Sequence, residues 1–237
     1  MSTAEKLTAI AENEQKVYEA GKEKVLRDMW EGLQKGGKRS DYGKAFFETS
    51  INDEMFKPIY DMQPTNAYSM FFGNVGITDL RNIPVKLDFS QCEEIQYAFY
   101  GMMNTDVGIG IKHIGVIDCR SIKTWIGNLG GLFAWDIYLE DIEKIILPNT
   151  GEITFPSTFE ACYALKEIRF EGVIGQNINF ADCPLSKESI VSVINALSPS
   201  VSGKTLSLNI HAKDSAFTDS EWNTLTGTRS NWIIELV

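Results

Sequence analysis

Four cysteines are the first residues in this chain whose spacing could support chemistry: Cys92, Cys119, Cys162 and Cys183. A structural zinc site needs pairs of cysteines two to four residues apart, and no such pair occurs. Stacking of successive repeats would bring Cys92 near Cys119, so a disulfide between them is one possibility. Because three of the four recur at one place in a sequence repeat, we favour reduced thiols buried in a core.

The other residue types that support catalysis are few and poorly placed. His113 and His211 are the only histidines, and neither is spaced as a metal ligand or lies beside an obvious nucleophile. Gly203-Lys-Thr205 resembles the end of a phosphate-binding loop, but Ser198 stands where that loop requires a glycine. Gly108-Ile-Gly110 lacks the third glycine of a dinucleotide-binding loop. We therefore expect a protein that is not an enzyme and uses no cofactor or metal.

Composition narrows the possible partners. The 237 residues carry a net charge of −10, which argues against nucleic acid and against an anionic membrane surface as ligands. No run of about 18 apolar residues is present, so membrane insertion is not expected. The first residues have no apolar stretch of a secretory signal. We expect synthesis and folding in a cytoplasm, which still permits later assembly into a virion.

One pattern, Cys-x-x-(Ile/Leu)-x-x-apolar, recurs through the middle of the chain. Its copies lie 18 to 27 residues apart, with a mean of about 22, which is in the range of leucine-rich repeats. Residues 143–147 and 167–170 alternate or nearly so, as short strands in a parallel stack would. We predict an α/β leucine-rich-repeat solenoid of about five to six short coils over residues 74–185. The copies begin at Asn74, Cys92, Cys119, Leu139, Cys162 and Cys183.

The N-terminal residues 1–40 are predicted to form a helical segment for attachment or oligomerisation. Residues 4–35 are rich in Ala, Glu, Lys and Leu and contain no proline. Their narrow apolar stripe either packs on its own domain or pairs with copies of itself or an assembly partner, and the sequence leaves both open. The residues of the stripe are Leu7, Ile10, Val17, Val25 and Met29.

Two further segments flank the repeats. Residues 36–41 form a hinge-like break, and residues 41–73 are predicted to cap the N-terminal end of the core, since residues 42–72 carry eight aromatics. Ligand stacking is the alternative role for these rings. Residues 186–237 are predicted to be an α+β C-terminal cap, with Ser186 as the N-cap of a helix to residue 197, a strand over 205–210, a short helix over 219–225 and a final strand over 232–237.

The string Cys162-Tyr-Ala-Leu165-Lys-Glu-Ile168-Arg-Phe170, preceded by Phe159, resembles BspA-type leucine-rich repeats. Residues 4–21, 52–60 and 167–175 are similar to proteins encoded by phages and prophages of Gram-positive gut bacteria, in which a helical N-terminus precedes the same repeats. The copy between residues 119 and 139 departs from the pattern, because it contains three glycines at 127, 130 and 131.

This resemblance implies a non-catalytic structural or adhesion component of a phage virion, such as a tail-fibre, baseplate or capsid-decorating protein. Its partners would be other virion subunits or a bacterial surface protein or glycan, and the N-terminal helix would form a homo-oligomer. The alternative is a bacterial surface adhesin or host-interaction protein built on the same repeats. That alternative predicts a secretion signal or wall anchor, and the sequence shows neither.

A binding surface on such repeats would use the residues that alternate with the core positions of each strand. Ile126 and Ile146 also fall at these positions, but we assign them to packing between coils. The predicted ligand-binding residues are Tyr97, Phe99, Thr124, Lys144, Glu167 and Arg169.

Overall fold

A computed structural model describes residues 39–53, 61–81, 87–123 and 128–237, together with Gly21 and Lys24, which are both helical. The described part is a mixed α/β structure with parallel sheets and few helices, as the sequence predicts at this level. Its strands are β1 (Arg39–Asp41), β2 (Gln63–Asn66), β3 (Met103–Asn104), β4 (Ile109–Gly110), β5 (His113–Asp118), β6 (Asp141–Ile146), β7 (Glu167–Glu171), β8 (Ile178–Phe180), β9 (Thr205–Leu208) and β10 (Ile233–Leu236). Its helices are α1 (Lys187–Ala196), α2 (Ile210–Ala216) and α3 (Asp219–Gly227).

The central parallel sheet contains β5, β6 and β7 in that order. Ile114 and Ile117 of β5 lie opposite Ile142 and Ile145 of β6, and all four are buried in the core. The register between β6 and β7 shifts between residues 142 and 145, as in a β-bulge, so the two residues between them both point away from the core. The strands predicted over 143–147 and 167–170 are confirmed.

Backbone hydrogen bonds join five further segments into a second stack, which we call the turn ladder: residues 42–48, 67–73, 97–101, 129–135 and 155–161. For example, Phe71 N donates to Ala98 O at 2.7 Å, and Phe99 N donates to Leu132 O at 3.0 Å. Each segment contains two residues with positive φ four positions apart, of which Tyr97 (φ 56°) is one. This conformation costs a non-glycine residue about 1 kcal/mol or more, which the bonds between segments offset.

A column of phenylalanine rings fills the core behind the turn ladder. Neighbouring rings are stacked, with centroids 5.1 to 5.7 Å apart along the first five and 4.5 Å apart for the last pair. Offset stacking of this kind adds about 0.5–1.5 kcal/mol per pair to the burial of the rings. We call this column the phenylalanine spine; its members are Phe46, Phe71, Phe99, Phe133, Phe159 and Phe180.

The first position of every copy of the sequence repeat lies in the interior. All six of these residues have no exposed surface, and the four thiols are free. Cys162 Sγ lies 3.1 Å from Phe133 O, whereas Asn74 Oδ1 accepts hydrogen bonds from two backbone amides in the turn that follows it. The prediction of buried, unpaired cysteines is therefore confirmed, and a small polar side chain satisfies backbone groups inside the stack.

The C-terminal elements agree with the prediction except at one place: the strand predicted over 205–210 ends at Leu208, because Asn209 caps helix α2, which was not predicted. Ser186 caps α1, as predicted, and its side chain accepts from Ser189 N. Thr218 and Glu221 form a capping box at the start of α3, and Trp232 is buried against the core. Helix α1 also protects the edge of the central sheet, because its serine hydroxyls accept hydrogen bonds from two backbone amides of β7.

Two predicted boundaries need correction. Residues 39–41 were assigned to a hinge-like break, but they form β1 and pair in parallel with β2. Residues 42–48 and 67–73 were assigned to a cap distinct from the repeats, but they are the first two segments of the turn ladder and carry the same hydrogen bonds as later segments. The predicted cap is thus part of the stack, because its aromatic residues supply the first two rings of the spine.

Candidate functional site

Three of the predicted binding residues meet on the outward face of the central sheet, which we call the sheet face. Lys144 projects from β6, and Glu167 and Arg169 project from β7; the last two are exposed. Val116 of β5 lies opposite Lys144 in the parallel register and is also exposed. A row of outward side chains therefore crosses all three strands.

The three charged residues of this row differ in their contacts. Lys144 Nζ lies 3.0 Å from Glu171 Oε2 in an exposed ion pair. Glu167 Oε2 accepts hydrogen bonds from Ser186 Oγ at 3.0 Å and Ser189 Oγ at 3.3 Å, which ties β7 to the start of α1. Arg169 makes no ion pair or hydrogen bond with any residue that the structure describes. Its guanidinium is thus available to a carboxylate or another acceptor on a partner.

A column of titratable groups runs along the starts of the strands. Asp79, His113, Asp141 and Glu167 are successive partners in the parallel register. His113 Nδ1 lies 2.5 Å from Asp141 Oδ2, and the Arg81 guanidinium contacts both Asp79 and Asp141. Burial opposes ionisation of Asp79, but the hydrogen bonds and charge of Arg81 still lower the pKa of that carboxyl below its usual range. Arg81 and its two carboxylates therefore form an ion-pair network that holds the first residues of the strands in place, whereas Glu167 is bound by serine hydroxyls.

Two concave regions adjoin the sheet face. The larger, of about 570 Å³, lies between β5 and residues 87–89 and has Phe89 and Ile117 on its apolar side. The smaller, of about 520 Å³, lies over β6 and β7 and includes Arg169. Both are lined in part by Arg81 and Glu143, and both fall in the size range of ligand sites. The sheet face is therefore concave in two places, and a partner's side chains can enter both.

Tyr97 and Phe99 do not belong to the sheet face. They lie in the turn ladder, where the positive φ of Tyr97 breaks the alternation that a strand would have. Tyr97 is partly exposed, but Phe99 has no exposed surface and stacks in the phenylalanine spine. Phe99 therefore does not project outward as a strand residue would, but it borders the larger concavity from the core side, and its contact with a ligand stays a prediction.

An outer row of aromatic rings was missed by the sequence reasoning. Phe47, Phe72 and Tyr100 stack on one another with centroids 4.9 and 4.6 Å apart, beside Tyr97 and Tyr68. The available signal was the doublet that recurs at residues 46–47, 71–72 and 99–100, in which the first ring enters the spine and the second faces outward.

The remaining predicted residues give no further information about the site. Ile146 is half-buried on β6 and lines the larger concavity. Thr124 and Ile126 lie outside the described residues. So do the residues of the predicted N-terminal stripe: Leu7, Ile10, Val17, Val25 and Met29.

Burial shifts the pKa values of several titratable groups that the structure describes in the core. Burial raises the pKa of the Cys92 thiol to about 12 and raises that of Cys162 well above its usual value, so both stay protonated. Burial likewise raises the pKa of the Asp136 carboxyl, although Met102 N donates to its Oδ1 at 2.6 Å. Asp136 Oδ2 has no hydrogen-bond partner among the described residues. Among these residues, no group of three or more His, Cys, Asp or Glu is placed to hold a metal ion.

The sheet face is thus a charged, partly concave surface positioned by three parallel strands and by α1. None of the described helices is both long and apolar enough to cross a membrane. Comparisons of the chain with models of protein families, with curated proteins and with solved structures found no match.

Proposed function

We propose that this chain is a non-catalytic binding protein built as a leucine-rich-repeat solenoid, and that it serves as a structural or adhesion component of a phage virion. Burial of all six repeat anchors and the parallel stacking of β5, β6 and β7 support the solenoid. The virion role is supported by the resemblance of residues 4–21, 52–60 and 167–175 to phage-encoded proteins.

The observation that carries the binding role is the row of outward side chains across the sheet face. Stacked repeats present one strand each, so equivalent positions form a continuous surface that a partner can span. Here Arg169, which has no ion-pair partner among the described residues, lines a concavity of about 520 Å³, and a second concavity of about 570 Å³ shares Arg81 and Glu143 with it. Lys144 pairs with Glu171 on the same face, so the surface carries both signs of charge and suits a partner that offers a carboxylate to Arg169. Another virion subunit or a bacterial surface protein would supply that carboxylate.

The proposed arrangement gives the two ends of the chain different tasks. Residues 1–40 would attach the protein to the particle or join copies of it, while the stacked segments present the sheet face. Attachment through a separate segment leaves the sheet face free for a second partner, which is the arrangement an adhesion component needs.

The proposed virion role is tested on purified phage particles from a strain that carries the gene. Mass spectrometry of density-purified virions should find the chain at a stoichiometry comparable to other minor structural proteins. Deletion of residues 1–38, which keeps strand β1, should remove it from particles while the remaining protein stays folded by circular dichroism. A protein that is monomeric by light scattering and absent from particles would contradict the proposed role.

The sheet face is tested by charge reversal. Lys144→Glu with Arg169→Glu should lower retention of the tagged protein on particles or host cells about tenfold or more, because it opposes the partner's charge. A matched control, Lys123→Glu with Lys187→Glu, changes charge equally and also disrupts exposed ion pairs. Both double variants should keep the wild-type melting temperature within a few degrees. Equal retention of the two variants would exclude the sheet face as the contact.

A further inference from the structure

We propose that a groove between residues 152–158 and strand β8 is a binding site for a neutral saccharide. This proposal rests on the proposed binding role and names a ligand class for it, at a site separate from the sheet face. The groove has a volume of about 490 Å³, within the range of small-molecule sites.

The groove arises from a difference in chain length between two stacked segments. At one end Gly151 and Gly175 touch so closely that a Cβ on Gly175 would lie 2.3 Å from Gly151 O. At the other end Phe159 and Phe180 stack with centroids 4.5 Å apart. The first segment advances eight residues from Gly151 to Phe159, whereas the second advances only five from Gly175 to Phe180. The longer segment bows outward, so no backbone hydrogen bond joins residues 154–157 to residues 176–179, both of which are fully described.

Three amide side chains on the β8 side are each oriented by a hydrogen bond to the carbonyl oxygen. Asn177 Oδ1 accepts from Thr205 N at 2.9 Å, and Asn179 Oδ1 accepts from Ala181 N at 2.8 Å. Gln176 Oε1 accepts from Lys204 Nζ at 2.9 Å. Because each carbonyl oxygen is already engaged, each NH₂ group is left to donate, and none of the three has an acceptor in the described structure. The groove therefore presents oriented donors before any ligand binds.

The remaining residues that line the groove also favour a neutral ligand. Every side chain that lines the groove is uncharged, although charged residues make up 23% of the chain. Thr154, Thr205 and Ser207 add hydroxyls that can donate or accept, while Phe155 and Pro156 form an apolar wall. A pyranose matches this lining, because its ring and hydroxyl oxygens accept from the amides and its C–H face packs on the wall. An anionic ligand would meet only the Lys204 ammonium, which is already bound to Gln176, and a cationic ligand would meet no counter-charge in the lining.

The shape disfavours an extended peptide. Addition of a peptide strand requires an open edge along which the new strand can run. Here the stacked segments separate only between the contacts at Gly175 and Phe180, so the free stretch is residues 176–179, shorter than a typical strand. Strand β8 is also already paired with β9 on its other side. A compact ligand of one or two sugar units fits these limits.

The test uses the full-length protein and two isosteric substitutions. Asn177→Asp with Asn179→Asp keeps both oxygen acceptors for Thr205 N and Ala181 N, so the fold is retained, but replaces two NH₂ donors with anionic oxygens. The control, Asn195→Asp with Asn223→Asp, makes the same charge change at exposed helical positions. The probes are monosaccharides and disaccharides of glucose, galactose and N-acetylglucosamine, with a sulfated disaccharide and a tetrapeptide as competitors, measured by isothermal titration calorimetry.

Wild type and the control should bind at least one neutral saccharide with equal affinity, and the Asn177→Asp/Asn179→Asp variant should bind it at least about tenfold more weakly. The proposal is overturned if no neutral probe binds at millimolar concentration, if the groove variant binds as wild type does, or if the sulfated sugar or the peptide binds instead. Detection of the protein in virions decides the proposed function independently. Saccharide binding by a protein absent from particles would uphold the groove and reject the virion role.

Discussion

The sheet face and the turn ladder are both stacks of chain segments joined by backbone hydrogen bonds, yet their outward surfaces differ. On the sheet face, extended strands display charged side chains that contact one another through exposed ion pairs. On the turn ladder, aromatic rings such as Phe72 and Tyr100, each next to a glycine with positive φ, lie against the next segment. Side chains on the sheet face can therefore vary at little cost, whereas those on the turn ladder are coupled to their neighbours. This difference suits the sheet face to recognition and the turn ladder to stability.

The largest expected effect lies behind the turn ladder. Phe99→Ala removes a fully buried ring that stacks on Phe71 and Phe133, and should lower the free energy of unfolding by about 3–5 kcal/mol. Val116→Ala, a truncation on the sheet face at a side chain that is 37% exposed, should cost less than about 1 kcal/mol. Urea denaturation of both variants measures the contrast. Similar losses would mean that the two faces contribute equally to stability.

A second test targets the coupling between neighbouring segments. Gly131 has φ +58°, and a Cβ there would lie 2.4 Å from Tyr97 Cε1. Gly131→Ala should therefore lower the free energy of unfolding by about 2–4 kcal/mol, through backbone strain and overpacking. Adding Tyr97→Ser should recover most of the overpacking term, as measured by a double-mutant cycle.

The matched control for this test is Gly101→Ala, at the second positive-φ position of the segment that contains Tyr97. Gly101 has φ +61°, and a Cβ there would meet nothing within 4 Å. Its change to alanine should lower the free energy of unfolding by about 1–2 kcal/mol through backbone strain alone. A loss at Gly101→Ala as large as that at Gly131→Ala would show that backbone conformation, and not the Tyr97 ring, requires the glycine.

The same contrast explains how far the sequence could predict the fold. The strands near residues 143–147 and 167–170 were predictable because extended backbone places alternate residues on opposite faces, and a buried isoleucine marks each strand. The helix after Ser186 was predictable from its N-cap residue. These signals are local, and the structure preserves them.

The turn ladder was not predictable by such rules, because its geometry depends on bonds between segments about 25 to 35 residues apart. Tyr97 and Phe99 alternate as in a strand, but the positive φ of Tyr97 arises only when the next segment provides the acceptor at Gly130 O. The groove beside β8 is equally hidden, since it follows from unequal chain lengths between contacts at Gly151 and Phe159. Only the recurring aromatic doublets signalled the ladder directly.

The next prediction concerns the buried Asp136 carboxyl, where the chain passes from the turn ladder to β6. Burial raises the pKa of this carboxyl in the folded state. Its contribution to stability is therefore fully present only below its unfolded pKa, about 3.9, and is lost as pH rises toward the raised value. Asp136→Asn retains an oxygen acceptor for Met102 N and cannot ionise. The variant should match wild type near pH 4 and exceed it in stability by about 1–3 kcal/mol near pH 8. Denaturant midpoints across this range measure the divergence; parallel curves would contradict an uncompensated buried carboxyl.

The smallest effect is expected on the sheet face itself. Lys144→Gln removes the ammonium that pairs with Glu171, and since both side chains are well exposed, the free energy of unfolding should fall by less than about 1 kcal/mol. The loss should shrink further in 1 M salt, where the Debye length is about 3 Å. Thermal denaturation at low and high salt provides the measurement, with Lys123→Gln as a control that breaks another exposed ion pair. A loss above about 2 kcal/mol that persists in salt would show that the charged row is needed for folding. The sheet face would then no longer be the freely variable surface that recognition requires.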